Sequence, residues 1–262
     1  MIVPKAEAED IDRRSLHERI AADLRDDILS GGLPAGAKLP STVQLKARFE
    51  ASNATVQKAL QLLKDERLVI GRAGAAVTVR EHRQRTLRPA SSMAPAAPGE
   101  PYRWLTEAGR HGARARSKLL DVMETIPPQD VAGALNLLEG STAVLRHQLL
   151  LIDDEPAELV YSYYPLSIAR GTAIMERRRI TGGTPALLAG LGHPPRLSVD
   201  RVSARVPTQE QYRALRLPGG SLPVLRTLRV VYSDDECPIE ATVMVKAGHL
   251  YEVQYEFTTE RV

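Results

Sequence analysis

Residues 51–60 read ASNATVQKAL, and the reading of this stretch decides the fold of the first third of the chain. Ser52 has the chemistry of a helix N-cap, and Val56, Ala59, Leu60 and Leu63 follow at i, i+3, i+4 and i+7, the apolar stripe of a helix. The stripe turns Ala54, Gln57, Lys58 and Gln61 outward and leaves Asn53 and Thr55 in the first turn. Lys58 is the only cation in the ten residues, and there is no arginine. Only the N-terminal end of such a helix enters a major groove deeply, so Asn53, Ala54, Thr55 and Gln57 are the candidates for base contact. Asn and Gln can bond adenine in bidentate fashion, and the Ala or Thr methyl can touch a thymine methyl. The competing reading is an ordinary three-helix packing unit.

The flanking sequence separates the two. Upstream, Ser41 and Gln44 have the spacing of a capping box, and Leu45 and Phe49 form the apolar side of a short helix. Further upstream, Leu16, Ile20, Leu24 and Ile28 mark one face of a helix that stops at Gly31-Gly32. Downstream, LVIGRAGAAVTVR (68–80) predicts two short strands around a Gly-containing turn. Helix, helix, turn, helix and β-wing make a winged helix-turn-helix. In that frame the expected DNA contacts are Ser41, Thr42, Lys46, Ser52, Asn53, Ala54, Thr55, Gln57, Lys58, Arg72 and Gly74. Phosphate charge is expected from Arg13, Arg14, Lys38, Lys46, Lys58 and Arg72.

Charge distribution agrees with a phosphate-bearing partner. Residues 1–88 hold 16 Lys+Arg against 12 Asp+Glu, whereas the remainder holds 19 against 20. A solvated helical surface would give the same bias, so the charge supports the motif reading without establishing it. At 262 residues and 43% hydrophobic, the chain has room for one large or two ordinary domains with a real core. The first residues, MIVPKAEAEDIDRR, contain no apolar h-region, and no window reaches the roughly 18 apolar residues of a membrane helix. A single cysteine, Cys237, excludes an intramolecular disulfide or a cysteine-built zinc site. The expected location is the cytoplasm, with no membrane partner.

EHRQRTLRPASSMAPAAPGEPY (81–102) lacks apolar periodicity and reads as a linker, which sets the expected domains at 1–80 and 103–262. Beyond it, helices are expected around Gln129–Leu135, Leu166–Arg178, Pro185–Leu191 and Thr208–Leu215, with strands at Leu197–Val206 and Leu250–Thr258. Two segments match, RHQLLLIDDEPAEL (146–159) and RTLRVVYSDDECPIEA (226–241). Each runs from β-formers through an acidic turn and a proline to a second strand bearing Glu158 or Glu240. The fold class is therefore α+β, a winged helix followed by an antiparallel sheet with helices. Arg146 and Arg226 take matching places in the two segments and could both be surface cross-strand cations.

Several motifs in order carry a family resemblance. LPS (39–41), SNATVQKAL (52–60) and GRAG (71–74) resemble the DNA-binding domain of GntR-family bacterial transcription regulators. Departures are Val43, Asn53 and Gln57 at places where relatives often have arginine, and Arg67 where glycine is usual and a left-handed residue is expected. DDEPAELVYSYYP (153–165), GGTP (182–185), VSARVPTQEQYRAL (202–215) and PIEATVMVKAGHLYE (238–252) resemble the UTRA effector-binding domain of the HutC-type branch, similar in fold to chorismate lyase. The resemblance implies a small-molecule effector, often anionic, held on the sheet, and a homodimeric repressor on a pseudo-palindromic double-stranded operator. By motif position it implies Arg146 as anion anchor, Gln148 where a second arginine often stands, and Glu158 and Glu240 as acidic contacts. Lys246 stands where some relatives have tyrosine, and Ser117 lies near the effector's anionic end.

Catalysis finds no support in the residues. No nucleophile–base pair, phosphate loop or metal-ligand spacing occurs, and Cys237 has no nearby histidine. The acidic trios 153–155 and 234–236 read as solvated hairpin turns, and Tyr161, Tyr163 and Tyr164 as sheet packing. No cofactor is expected. An enzyme on the chorismate-lyase-like fold, and a dimeric DNA-binding protein without a ligand, stand as the alternatives.

Overall fold

The computed structural model describes residues 12–71, 76–81, 84–88, 114–219 and 222–257, and the chain divides into two compact units, 1–84 and 85–262. In the first unit α1 (Leu16–Leu29), α2 (Thr42–Phe49) and α3 (Asn53–Asp65) precede a hairpin of β1 (Val69–Ile70) and β2 (Thr78–Val79). The helices form because their apolar stripes meet: Ile20, Leu24, Ile28, Leu45, Val56, Ala59 and Leu63 are all fully buried. Each of these side chains except Ala59 contributes about 1.5–3 kcal/mol of burial. At the end of α1, Gly31 takes φ +90°, a conformation glycine adopts without strain, and Leu33 N–H reaches back to Asp27 O at 2.7 Å. The capping box of α2 is present: Gln44 N–H donates to Ser41 Oγ at 3.3 Å, and Ser41 N–H donates to Gln44 Oε1 at 2.8 Å. Arg67 adopts φ +62°, so the left-handed turn after α3 is kept without glycine.

The second unit is built on a six-stranded antiparallel sheet. Its strands are β4 (Ala115–Thr125), β5 (Ala143–Ile152), β6 (Glu155–Pro165), β7 (Leu197–Arg205), β8 (Val224–Tyr232) and β9 (Pro238–Ala247), in the order β4-β5-β6-β9-β8-β7. The order is symmetric about the β6–β9 pair, and short helices at Gln129–Ala134 and Gln209–Ala214 occupy equivalent connections, β4 to β5 and β7 to β8. Both helices end on left-handed residues, Asn136 and Arg216. The matching segments of the sequence are thus halves of an internal repeat. One face of the sheet carries a core of Leu159, Tyr163, Leu228, Ala241, Val243 and Val245, and the other packs Val144, Tyr164 and Val231 against Ile168, Ile174 and Leu188. In the first hairpin Asp153 and Asp154 both have positive φ, the backbone of a two-residue turn with its carboxylates exposed.

Three expectations are corrected and one strand is added. The helix expected over Leu166–Arg178 is a helix at Leu166–Ala169 and a 3-10 turn at Ala173–Met175, parted by Gly171 at φ +74°. The strand expected over Leu250–Thr258 is only β10 (Tyr251–Val253), which pairs in parallel with β3 (Arg85–Leu87), a segment from the stretch read as linker. β4 was not anticipated, because ARSKLLDVMET mixes charges with its apolar residues and lies at the sheet edge. Arg146 and Arg226 are not equivalent: Arg146 pairs with Ser162, whereas Arg226 pairs with Val245, a core residue of the opposite face. The repeat offset is one residue longer than the arginines suggest, and one residue of register exchanges faces.

Candidate DNA interface and effector face

In the first unit the N-terminal end of α3 is open to solvent. Ser52, Asn53, Ala54, Gln57 and Lys58 are exposed and Thr55 is half-buried. Ser52 caps the helix by accepting from Thr55 N–H at 3.1 Å, and its Oγ lies 2.8 Å from Thr55 Oγ1. Gln57 reaches α2, its Nε2 donating to Thr42 Oγ1 at 3.4 Å. Ser41 likewise serves as a cap, and Lys46 stands exposed on α2. Val43, 76% exposed, puts a bare isopropyl group on the same helix start. Arg72 and Gly74 lie outside the described residues.

Among the phosphate candidates, Arg13, Lys38, Lys46 and Lys58 are exposed, while Arg14 is engaged by Asp12, Nη2 to Oδ2 at 2.6 Å. That contact and its hydrogen bonds hold the Asp12 carboxyl down to about 2. Sequence reasoning missed Lys64, Arg67 and Arg80, which line an open cavity with Val69, Ile70 and Gly71 beside the β1–β2 hairpin. No periodicity links the three, since they come from the end of α3, the turn after it and the end of β2. It also missed the bidentate pair of Arg25 with Glu66, Nε to Oε2 at 2.7 Å and Nη2 to Oε1 at 2.6 Å. Glu66 is only 3% exposed, so this pair fastens the end of α3 to α1.

In the second unit all six residues expected at the effector fall on one face of the sheet. Ser117 on β4, Arg146 and Gln148 on β5, Glu158 on β6, and Glu240 and Lys246 on β9 share it, as the register requires. Ser117 Oγ donates to Gln148 Oε1 at 2.7 Å, and Lys246 Nζ lies 3.1 Å from Glu158 Oε1. Glu240 accepts from Thr242 Oγ1 at 2.6 Å, with the hydroxyls of Tyr164 and Thr184 close by. Burial pushes the Glu240 carboxyl up, against the lowering effect of these donors. Burial likewise pushes the Tyr164 phenol well up, so it stays a donor. Arg229, not foreseen from the sequence, joins the face with two 2.7 Å bonds to Asp200.

Arg146 has a different role from the one its motif position implies. It is 2% exposed, and its guanidinium donates to the backbone carbonyls of Ile174 at 2.8 Å, Glu176 at 2.9 Å and Arg178 at 2.7 Å. These bonds hold residues 173–178 against the sheet, and the buried Nε has no hydrogen-bond partner. On the opposite face His147 stacks on Tyr161 at 4.3 Å, with Glu210 3.7 Å from its Nε2. Burial lowers the histidine's pKa and raises that of the tyrosine. Among the described residues no group of three His, Cys, Asp or Glu side chains could hold a metal, and no helix is long and apolar enough to cross a membrane. Cys237 is exposed.

A helix-turn-helix with a wing, joined to a sheet with a polar buried face, defines a transcription regulator with DNA-binding and ligand-binding domains. The comparisons agree. Residues 16–79 match the model for bacterial regulatory proteins of the gntR family, and residues 110–252 match the UTRA domain. The chain belongs to the UTRA-domain family and carries an N-terminal domain of the gntR type. It is 22% identical to the HTH-type transcriptional regulator GgaR of Escherichia coli (strain K12), over 92% of this chain and 90% of that one. The fold matches the crystal structure of a GntR-family transcriptional regulator with TM-score 0.60 at 22% identity, covering 94% of this chain and 99% of that one. It also matches PhnF from Mycobacterium smegmatis with TM-score 0.54 at 20% identity, covering 91% and 100%. These families and relatives are transcription regulators, not enzymes.

Proposed function

We propose that this protein is a metabolite-responsive repressor that binds a pseudo-palindromic operator as a homodimer. Residues 1–80 would read DNA, 81–102 connect, and 103–262 bind the effector and dimerise. The observation that carries the reading is the convergence of Ser117, Arg146, Gln148, Glu158, Glu240 and Lys246 from four strands onto one sheet face. Four of the six are buried, and buried polar groups are costly unless a fold uses them; a chain that also bears an exposed, amide-rich α3 has a signal to pass on. Asn53, Thr55 and Gln57 read bases, and Lys46 and Lys58 meet phosphates. The effector acts by binding the DNA-competent and DNA-incompetent arrangements with different affinity, since equal affinity would shift nothing.

A homodimer reading successive major-groove faces places its two α3 helices about 34 Å apart. Footprinting of the full-length protein on its own promoter region should therefore protect two half-sites about one helical turn apart, with two chains per fragment. A single protected half-site occupied by one chain would overturn the dimeric operator reading.

A further inference from the structure

The sheet halves are related by an approximate two-fold that passes through the Tyr161–Val243 pair of β6 and β9. Under it Glu158 corresponds to Glu240, since Leu150 faces the first as Val231 faces the second. The two glutamates nevertheless sit in different company. Glu240 has the hydroxyls of Thr242, Tyr164 and Thr184. At the equivalent places around Glu158, Val160 replaces Thr242 and Lys246 replaces Tyr164. Glu158 is 5% exposed and Lys246 4%, yet Glu158 Oε1, at 3.1 Å from Lys246 Nζ, accepts no hydrogen bond. The contact is an ion pair in distance whose angles do not make a hydrogen bond. A buried carboxylate with unused acceptor capacity thus lies beside a buried ammonium.

We propose that the Glu158–Lys246 pair is the specificity element of the effector face and that the effector is a small zwitterion. Its ammonium donates to Glu158 and its carboxylate accepts from Lys246. The inference rests on the sheet being the effector-binding face. Charge balance on this face favours a ligand without net charge. Arg146 spends its Nη groups on three carbonyls, Arg229 is held in bidentate fashion by Asp200, and Gln148 is neutral. A phosphate dianion would be desolvated against three cations, Arg146, Arg229 and Lys246, that are each already engaged by carbonyls or a carboxylate. A zwitterion turns one poorly directed ion pair into two charge-assisted hydrogen-bonded pairs and adds no net charge.

The test is calorimetry and thermal shift on the full-length protein with the twenty L-amino acids singly, inorganic phosphate and glucose 6-phosphate. At least one amino acid should bind at one per chain and raise the melting temperature as its concentration rises. Phosphate and glucose 6-phosphate should not. Glu158→Gln should weaken the amino acid at least tenfold. Should that variant melt in the unliganded state, Lys246→Arg serves instead, keeping the charge and weakening binding by a smaller factor. Binding of phosphate or glucose 6-phosphate without any amino acid, or Glu158→Gln binding as tightly as wild type, would overturn the proposal. A response to no compound would overturn it as well, and a promoter gel shift on the same samples reports DNA binding independently. A protein that shifts DNA and responds only to phosphate removes the zwitterion alone; one that responds to no small molecule of any class removes the effector reading too.

Discussion

The N-terminal end of α3 and the β6–β9 pair both carry the residues that motif position selects, and they hold them in opposite ways. On α3 the polar groups stand outside: Asn53, Gln57 and Lys58 are exposed, and local caps satisfy the helix end. On the sheet they stand inside: Glu158, Glu240, Arg146 and Lys246 are each less than 10% exposed and are met by one another, by a threonine hydroxyl or by backbone carbonyls. An exposed polar group costs little to change and serves whatever partner arrives. A buried one is tied to the stability of its domain. Substitutions in the first region should therefore alter recognition and leave folding alone, and substitutions in the second should alter both.

The sharpest test of the contrast is Arg146→Ala. It removes a buried guanidinium and the donor of three carbonyls, the one at Ile174 buried, and denaturant unfolding should report a loss of about 3–5 kcal/mol for the sheet domain. A loss below about 1 kcal/mol would mean that water replaces the guanidinium and that residues 173–178 do not depend on it. Arg25→Ala tests whether the contrast concerns regions or burial, because Glu66 is a buried charge in the DNA-binding unit. It should cost about 2–3 kcal/mol in that unit, through charge-assisted bonds lost to a carboxylate that stays inside. Gln57→Ala should change stability by less than about 0.5 kcal/mol. It should also remove about 1–3 kcal/mol of base discrimination, read by selecting bound sites from a random library. An unchanged base preference would mean that another face of α3 meets the groove.

The smallest effect concerns pH. Burial raises the folded pKa of Glu240 above its ordinary value of 4.5. Between 4.5 and the folded value the native state holds more protons than the unfolded state, so this group's contribution to stability falls as pH rises through that window. Glu240→Gln removes the titrating group, and the stability–pH profile should flatten there. A variant with the wild-type slope would assign that slope to another group.

Legibility followed the same division. α1, α2 and α3 were readable because a helix buries one stripe, and the stripe repeats within a dozen residues. The hairpins and the repeat were readable from β-formers around an acidic turn. The residues of the effector face could be located, but their bonds could not. Arg146 grips carbonyls 28 or more positions away, and no local pattern encodes that. Its grip also explains the shortened helix, since the carbonyls of 174, 176 and 178 are drawn to the sheet. Arg67 was legible as a position and not as a conformation, because its φ of +62° is imposed by the turn against the preference of its side chain.

The most direct test of the account is equilibrium binding of the full-length protein to its promoter fragment and to random DNA of equal length, across a salt series. An exposed amide-rich helix flanked by scattered lysines predicts a preference of at least about 10³ for the promoter. It also predicts log affinity falling linearly with log salt. Equal affinity for the two DNAs, or binding indifferent to salt, would contradict the claim that this α3 reads sequence.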